Sequence, residues 1–593
     1  MNTYPLVRVK GSNEHLMAGV FAVALLYSLP AFINNPSELL VFLLIGVVSL
    51  VVDTALNFIR YKRPVCAVSA SVTAVVYFAL TSGAPLWGRL LGAIAALVLG
   101  KHLWGGTGKN PLNPALVGVM LVSIAFQVQP LFGNAWMIAP AMLLSLPFIL
   151  VRPYAAFGFM AGMVGSLVIK GSMDIESLGL AVFMGSLVLT DPVTVSGHPL
   201  VGLLGGVAVG FIPQQLSGSI FFVTAGILLF NLLSFLTESL IPKAVLRLPK
   251  TNKLDKLFPI PASLPFFDLT QEQPEPRQIQ SLLDSPENLE CNEILKRIDE
   301  AGVFGLGGAA FPTIRKIRAV MASKEPKHLI INGVECDPGL IHDYWLVRHA
   351  PEDVLAGVAL LKRCISFDSV SLAVKSEKGL PALDGISLIK VPDLYPAGAE
   401  KLLIQQVIGQ KLPFHSLPAE RGILVLNVGT LQAVFEAVIK KKKADSRLIT
   451  IADFNSKAFS IARVKLGMPL HRVIAALGLP SGHLFTGGGA MQCRLAMEED
   501  VVEGSTNFLA ISPFPKYKES PLCSRCGSCR THCPSGLKVD KIADLADESK
   551  WQDALSYHPE NCVQCGYCSR VCGAGRNLSV RVKRAKEHVN PLK

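Results

Sequence analysis

The chain has 593 residues, of which half are hydrophobic, and 56 Lys and Arg against 44 Asp and Glu give a net charge of +12. This length exceeds one ordinary domain several-fold, and the excess apolarity lies before about residue 242, so one uniform soluble fold is excluded. The basic residues stand mostly in short loops beside apolar runs, with no base-reading or stacking pattern, which excludes a nucleic-acid partner.

Residues 1–241 are predicted to form an all-α polytopic membrane domain. Apolar runs near bilayer length indicate about ten transmembrane helices, of which the sixth and eighth are the shortest candidates. The predicted spans are 14–33, 37–58, 65–82, 86–104, 112–131, 135–151, 153–170, 176–190, 199–215 and 219–241.

An even number of spans puts both termini on one side of the membrane, and most loop Lys and Arg residues fall on that side. The positive-inside bias then predicts cytoplasmic termini. The cysteine-rich C-terminal region agrees, because metal-ligating thiols need a reducing compartment. The protein is therefore expected to be a multi-pass protein of a bacterial inner (plasma) membrane, with a cytoplasmic soluble part and no cleavable signal peptide.

Polar groups interrupt the apolar runs at three places. Asp53 lies within the second span, where an ionisable group indicates either a functional role or a helix–helix contact near Asn57 and Arg60. The stretches 105–115 and 189–194 combine polar residues with glycine or proline, which predicts broken or re-entrant helices.

These two stretches carry a family resemblance. They resemble segments of the membrane family that includes the D subunit of the Rnf complex and the B subunit of the sodium-pumping NADH:quinone oxidoreductase. The segments are Lys109-Asn110-x2-Asn113-Pro114-Ala115-x2-Gly118 and Thr190-Asp191-Pro192-Val193-Thr194. In that family FMN is esterified to a threonine in an Asp-Gly-x-Ser-Gly-Ala-Thr loop, which this sequence lacks, so covalent FMN is not expected in the membrane half.

Residues 242–290 are rich in proline and are predicted to be an extended linker. An α/β domain is expected over 291–445. It opens with the glycine-rich stretch 305–313, where backbone N–H groups can approach a phosphate. The strand-like run 329–331 then delivers Asn332-Gly333-Val334-Glu335-Cys336-Asp337-Pro338 at its carboxyl end, where open parallel sheets bind ligands.

The last two predicted modules are a β-grasp module and a cluster domain. Residues 446–510 look like a soluble-ligand-binding β-grasp module, which would act as a spacer. Residues 511–593 carry eight cysteines in two runs, Cys523-x2-Cys526-x2-Cys529-x3-Cys533-Pro534 and Cys562-x2-Cys565-x2-Cys568-x3-Cys572.

The spacing within these runs is typical of an α-helical, bacterial-ferredoxin-like domain with two [4Fe-4S] clusters. Three thiolates of one loop bind one cluster, and the fourth cysteine binds the other cluster. A pair of zinc sites is the alternative, although zinc knuckles usually lack a third cysteine at the same interval.

The soluble half resembles the C subunit of the Rnf complex and, more remotely, the NADH- and flavin-binding subunit of respiratory complex I. Four segments carry the resemblance in order, and the cysteine runs follow them: the glycine loop, 332–338, Tyr395-Pro396-Ala397-Gly398-Ala399-Glu400-Lys401 and Asn427-Val428-Gly429-Thr430. The family loop reads Gly-Ala-Gly-Phe-Pro-Thr, whereas Ala310 stands here at the last glycine.

The resemblance implies noncovalent FMN and NAD(H) as ligands. The implied cofactor-binding residues are Gly305, Gly307, Gly308, Ala309, Lys316, Asn332, Asp337, Gly398, Asn427 and Thr430. Glu335 and Glu400 are the implied catalytic residues beside the isoalloxazine and nicotinamide, and Cys336 is expected to lie beneath the flavin. The structural alternative is that Glu335 and Asp337 cap a following helix.

Together these features predict a fusion of a D-like membrane subunit and a C-like electron-input subunit. Its function would be that of a subunit of an Rnf-type ion-translocating NADH:ferredoxin oxidoreductase, with other Rnf-like subunits and ferredoxin or a B-like iron–sulfur subunit as partners. The clusters are expected to pass electrons to another subunit, because no covalent flavin is expected in the membrane half. The alternatives are a non-pumping membrane-tethered reductase and a flavin-less redox scaffold or sensor.

Overall fold

The computed structural model describes most of the chain. The described residues are 5, 13–61, 68–131, 135–191, 193–196, 198–216, 219–240, 264–270, 289–308, 310–376, 380, 385–413, 416–479, 482–512, 519, 523 and 525–589.

Ten helices form the described part of the N-terminal half, at the positions of the predicted spans. Five of them are long and apolar enough to cross a membrane. The helices are α1 Asn13–Asn34, α2 Ser37–Tyr61, α3 Val68–Ala79, α4 Leu86–Leu97, α5 Pro114–Ala125, α6 Ala135–Ser145, α7 Pro153–Lys170, α8 Ile175–Phe183, α9 Pro199–Leu216 and α10 Ile220–Leu240.

Two of these helices end in π-helical turns before polar loops. Helix α4 continues as Val98–His102, and α8 continues as Met184–Val188. Helix α5 restarts at Pro114, and the Asn113 side chain accepts a hydrogen bond from the third residue of its first turn. The glycines and prolines of these loops therefore interrupt the helices, as the sequence predicts.

Asp53 joins α2 to the π-helical end of α4. Its carboxylate lies 2.7 Å from Lys101 Nζ and 2.8 Å from His102 Nε2, and it accepts a hydrogen bond of 2.9 Å from Asn57. The helix–helix contact is therefore present, although Arg60 bonds to His102 and the main partner is Lys101. Burial of an ionised pair is tolerated here because each charge has an opposite charge and further hydrogen bonds.

The predicted linker 242–290 lies mostly outside the described residues. Its described part includes a short strand, β1 Phe266–Asp268, which pairs in parallel with a later strand at Ile461–Arg463. The Phe266 ring stacks on Trp345 at a centroid distance of 4.7 Å. Aromatic stacking and strand pairing give this part of the linker a fixed position, whereas proline content alone predicted an extended connection.

A four-stranded parallel sheet forms the centre of the α/β domain. Its strands are β2 His328–Gly333, β3 Ser369–Val374, β4 Ser387–Lys390 and β5 Ile423–Asn427, in the order β4-β3-β2-β5. The chain moves outward from β2 through β3 to β4 and then returns to β5 on the other side of β2. The strand order therefore reverses between β2 and β5, and ligands of such sheets bind at the carboxyl ends of the strands at this point.

A second, six-stranded mixed sheet follows. Besides β1, its strands are β6 Ser446–Asp453, β7 Ala458–Lys465, β8 His483–Gly489, β9 Gln492–Leu495 and β10 Phe508–Ser512. The strand order is β1-β7-β6-β10-β8-β9. The helix Leu470–Ala476 covers one face of this sheet through buried Leu470 and Val473.

Short helices enclose the two cysteine runs. Their apolar core includes Leu537, Ile542 and Val582. The helices are Ser528–Thr531, Val539–Asp547, Trp551–Leu555, Tyr567–Arg570 and Leu578–Val589.

Candidate redox site

The candidate flavin site lies at the point where the strand order reverses. Asn332 at the end of β2 stands opposite Asn427 at the end of β5. The Asn332 amide donates a hydrogen bond of 3.1 Å to the Gly398 carbonyl. The Asn427 side chain accepts from Gly429 N at 2.8 Å and donates to Asp343 at 2.5 Å. Three of the four resembling segments therefore converge on one crevice.

The glycine loop lies over the same crevice. Leu306 N donates to the Thr430 hydroxyl at 2.9 Å, which connects the loop to the helix Val428–Val438. A Cβ atom at Gly307 would lie 3.6 Å from the Asn427 side chain, and Gly308 has a φ of +106°. Because glycine has no side chain, the backbone at Gly307 and Gly308 is open toward the crevice. The predicted Ala309 lies outside the described residues.

The residues after the loop fit a phosphate. The loop leads into the N-terminus of the ten-residue helix Thr313–Ala322, where the helix dipole favours an anion. The Thr313 hydroxyl is buried and has no hydrogen-bond partner among the described residues. Lys316 follows in the first turn and pairs with Glu400 at 3.2 Å, and both side chains are partly exposed. A hydroxyl, a cation and glycine N–H groups can together hold the phosphate of FMN.

Ala310 has a φ of +47°, in the left-handed region that favours glycine. We expect Ala310→Gly to stabilise the folded protein by about 1 kcal/mol, because it removes this backbone strain, and to retain bound flavin. Thermal unfolding and flavin extraction on the full chain check both effects. Ala301→Gly, at a helix end with a φ of −72°, is the control and should give no such gain. A lower unfolding temperature in Ala310→Gly would contradict the expectation.

The two acidic residues after β2 have different partners. Both Glu335 oxygens accept hydrogen bonds of 3.1 Å, from Asp343 N and Tyr344 N at the start of the helix His342–His349. Asp337 instead accepts from Met491 N at 3.2 Å, and burial raises its pKa to about 8. Glu335 therefore caps the helix, as the structural alternative predicts, whereas Asp337 connects the α/β domain to the second sheet.

The Glu335 carboxyl group should make the stability of the fold depend on pH. Burial raises its pKa above 4.5, and Asp343 raises it further, while Lys375 acts in the opposite direction. Above pH 4.5 the folded state keeps a proton on Glu335 that the unfolded state releases. The contribution of Glu335 to the free energy of unfolding is therefore lost as the pH rises through neutrality. We expect Glu335→Gln to flatten the plot of unfolding temperature against pH. An unchanged slope would contradict the raised pKa.

The flavin site adjoins the second cysteine run. The Tyr395 hydroxyl donates to the Cys565 carbonyl at 2.5 Å, and the Cys336 thiol accepts from Gly398 N at 3.3 Å. Cys336, Tyr395, Met491, Cys565 and Tyr567 pack in one apolar cluster. Cys336 and Tyr395 therefore lie between the crevice and the second run.

The eight cysteines form two groups, and each group contains the first three cysteines of one run and the last cysteine of the other run. Burial raises the pKa of the Cys529 thiol well above its ordinary value, with further contributions from Asp540, Cys523, Cys526 and Cys572.

In the second group, burial raises the pKa of the Cys565 thiol. A hydrogen bond from Tyr567 N lowers this pKa, and the nearby Cys533 and Cys562 raise it further. Cys572 thus lies near the first run and Cys533 near the second, as crossed ligand sets would require, and the assignment of each cysteine to a cluster stays a prediction from the spacing.

The sulfur positions do not match a zinc site. Among the described residues, which include all eight cysteines of the runs, no three of these sulfurs lie within 4.8 Å of one another. Tetrahedral zinc with bonds of about 2.3 Å needs sulfurs roughly 3.8 Å apart.

Three family models match successive parts of the chain. The NQR2, RnfD, RnfE family matches residues 1–234, the Nuo51 FMN-binding domain matches 298–436, and the 4Fe-4S dicluster domain matches 515–573. The matches confirm the predicted order of a membrane region, an FMN-binding domain and a two-cluster domain in one polypeptide.

Curated relatives decide the family. The C subunit of the Na(+)-translocating ferredoxin:NAD(+) oxidoreductase complex of Acetobacterium woodii is 30% identical over 317 residues, which cover 51% of this chain and 71% of the relative. The chain belongs to this C-subunit family. The C subunits of the ion-translocating oxidoreductase complexes of Pseudomonas aeruginosa and Rhodobacter capsulatus are each 32% identical, over 45% and 42% of this chain. The chain spans only 36% and 51% of those two relatives' own length.

The structure adds residues to this C-subunit family site that the sequence pattern did not single out. Buried Arg447 on β6 donates to the Leu306 carbonyl at 3.1 Å and also bonds to Gly504 and Asn507. Asp343, at a helix start, bonds to Asn427 in the crevice. Nothing local in the sequence relates Arg447 to the loop.

Proposed function

We propose that this chain is a membrane-bound subunit of an ion-translocating NADH:ferredoxin oxidoreductase complex. It moves electrons between NAD(H), noncovalent FMN and two [4Fe-4S] clusters. One observation carries the proposal: the crevice at the ends of β2 and β5 adjoins the second cysteine group through Cys336 and Tyr395. A site for a two-electron donor thus lies beside a site for one-electron carriers.

The residues of the crevice have distinct tasks in this function. The N–H groups of the glycine loop, the Thr313 hydroxyl and the Lys316 ammonium would hold the flavin phosphate. Asn332 and Asn427 would orient the ring through amide groups fixed at the strand ends, and Glu400 would serve the nicotinamide. Bound flavin supplies the conversion of a hydride into two single electrons. Glu335 acts by fixing the helix His342–His349, which presents Asp343 to Asn427.

The contacts suggest which of the two clusters lies nearer to the flavin crevice. The group of Cys562, Cys565, Cys568 and Cys533 adjoins the flavin crevice, and the group completed by Cys572 lies beyond it. Electrons from NADH would therefore reach the second run before the first run. The reverse direction is equally possible, since the potentials of the clusters set the direction.

The remaining assignments follow from the same proposal. With ten spans, cytoplasmic termini and a cytoplasmic soluble half, the crevice would lie where NAD(H) is available. The second sheet serves as a β-grasp spacer between the crevice and the clusters. Other subunits of the complex, with ferredoxin or a B-like iron–sulfur protein, complete the electron path and the ion translocation.

Anaerobic titration of the full chain with NADH tests the function. We expect extractable, noncovalent flavin whose absorbance NADH bleaches, followed by reduction of the clusters. Lys316→Met should weaken flavin retention, whereas Lys583→Met, in the exposed C-terminal helix, should not change it. Intact clusters without any bound flavin would contradict the proposal and favour a redox scaffold.

A further inference from the structure

The two cysteine runs end in matching turns that differ in charge. In each turn, the residue four positions after the last cysteine donates its backbone N–H to that thiol. Leu537 N donates to Cys533 at 3.4 Å, and Arg576 N donates to Cys572. A helix begins two residues later in both halves. The same turn therefore carries a neutral side chain after Cys533 and a guanidinium after Cys572.

The described residues leave one donor atom of the Arg576 side chain free. Its Nη2 atom lies 2.9 Å from Asp544 and 3.1 Å from Asp547, and the side chain is 3% exposed. Its Nη1 atom is buried and has no hydrogen-bond partner among the described residues. A buried N–H without an acceptor is destabilising and rare in folded proteins. We therefore expect an acceptor at Nη1 that is not part of the polypeptide.

Arg576 lies among the thiols of the first cysteine group. These thiols, of Cys523, Cys526, Cys529 and Cys572, are the predicted ligands of one cluster, called here the first cluster. Burial raises the pKa of the Cys523 thiol, and Arg576 is one of two arginines that lower it. Burial also raises the pKa of the Cys572 thiol, which both the backbone N–H and the guanidinium of Arg576 lower. The guanidinium therefore acts on one thiol from each run, and both thiols belong to the same group.

A sulfur of the first cluster is the acceptor that fits this position. The sulfurs of iron–sulfur clusters accept hydrogen bonds, and such bonds are among the factors that set the reduction potential. A reduced cluster carries one more negative charge than an oxidised cluster. A hydrogen bond from a cation therefore stabilises the reduced state more than the oxidised state.

We propose that Arg576 donates a hydrogen bond from Nη1 to a sulfur of the first cluster and thereby raises the reduction potential of this cluster. One electron enters the cluster on reduction, and no bond forms or breaks. The hydrogen bond holds this electron on the first cluster and so favours its departure from the second cluster. The proposal rests on the two clusters of the proposed function, and it involves neither flavin nor NADH.

The second group also has a cation beside it, but this cation has a different partner. Lys586 Nζ donates to the Cys562 carbonyl at 2.8 Å, so this donor has an acceptor on the protein. The position that matches Arg576 holds Leu537, which has no donor in its side chain. A hydrogen bond from Arg576 is therefore a difference between two clusters whose cysteine spacing is the same.

Redox titration of the full chain with dithionite, without NADH, tests the proposal through the electron paramagnetic resonance signal of each cluster. The signal that is lost in Cys526→Ser identifies the first cluster. Arg576→Leu introduces the side chain that Leu537 has at the matched position. At a fixed potential we expect the ratio of reduced to oxidised first cluster to fall about tenfold, a downward shift of about 59 mV for one electron. The potential of the second cluster should stay the same.

Arg581→Leu is the matched control, because it removes a positive charge from the same network of ion pairs. Arg581 pairs with Asp547 at 2.7 Å and with Glu519 at 2.6 Å, and its side chain is 20% exposed. Solvent and salt screen this charge from the cluster, so the ratio should change by less than about twofold. Equal shifts in Arg576→Leu and Arg581→Leu would overturn the proposal, because loss of charge alone would then explain both.

Pulsed electron paramagnetic resonance tests the hydrogen bond even where Arg576→Leu fails to assemble the first cluster. The unsubstituted full chain is labelled with the heavy isotope of nitrogen in its arginine guanidinium groups. The signal of the first cluster should then couple to the labelled nitrogen. Arg576→Lys, which keeps the positive charge, should lose most of this coupling. Absence of the coupling from the unsubstituted protein, or its full retention in Arg576→Lys, would overturn the proposal.

The cluster signals also separate this proposal from the proposed function. Two signals with an unchanged potential of the first cluster in Arg576→Leu would overturn this proposal alone. Absence of both signals from the unsubstituted protein after reduction by dithionite would overturn the proposed function and this proposal with it.

Discussion

Replacing Cys565 by serine is expected to abolish NADH-dependent reduction of both clusters. Cys565 is buried beside Tyr395, and Cys336 packs against the same apolar cluster, so its group is the one next to the flavin crevice. Serine is a poor ligand for iron–sulfur clusters, which are held by thiolates. Without the second group, the first group has no near donor, although it should still form.

Cys526→Ser should affect only the first group. NADH should still reduce the second cluster, and dithionite should reveal one remaining cluster in each variant. Electron paramagnetic resonance of samples reduced by NADH and by dithionite separates the two outcomes. Cys364→Ser, which lies outside the runs beside Cys291, is the control that should keep both signals. A first cluster that NADH still reduces in Cys565→Ser would show that the order of the clusters is wrong.

Arg447→Met should destabilise the α/β domain and release flavin. Arg447 is 3% exposed, and its guanidinium joins the glycine loop at Leu306 to Gly504 and Asn507, which directly precede β10 of the second sheet. Its removal leaves buried acceptors without donors. We expect this to lower the free energy of unfolding by about 3 kcal/mol or more. Chemical unfolding and flavin extraction of the full chain measure the two effects.

Arg463→Met provides the matched control. Arg463 lies on β7 and pairs with Glu436 at 3.1 Å, where both side chains are about one-fifth exposed. A partly solvated pair of this kind contributes roughly 1 kcal/mol or less. Equal losses of stability and flavin in the two variants would show that the contacts of Arg447 with the loop have no special role.

Local patterns in the sequence predicted the modules and the crossed cysteine groups. Ten apolar runs gave the positions of ten helices, because hydrophobic length is a property of each segment. The interval of two residues between cysteines likewise predicted cluster loops, because three thiolates of one tight loop reach one cluster without help from distant residues. The short strand at 266–268 was missed because its stability depends on pairing with β7 and on the Trp345 ring.

The crevice was only partly readable. Asn332 and Asn427 follow strands, so their convergence could be expected from the rule for parallel sheets. Whether Glu335 faces a ligand or caps a helix depends on where the chain turns after Gly339, which residue type does not determine. The part played by Arg447 could not be read, because it joins modules that are separated by more than a hundred residues.

The sequence by itself determined which groups this chain carries: a membrane region, a glycine loop before a helix, and eight thiolates at cluster spacing. Tertiary structure alone decided which of these groups lie next to each other in space. Cys565 adjoins Tyr395, and Cys523 adjoins Gly108, only because modules that are distant in sequence pack at these faces. Spacing and hydrophobic periodicity act over a few residues, whereas contacts between modules depend on the shape and charge of whole surfaces.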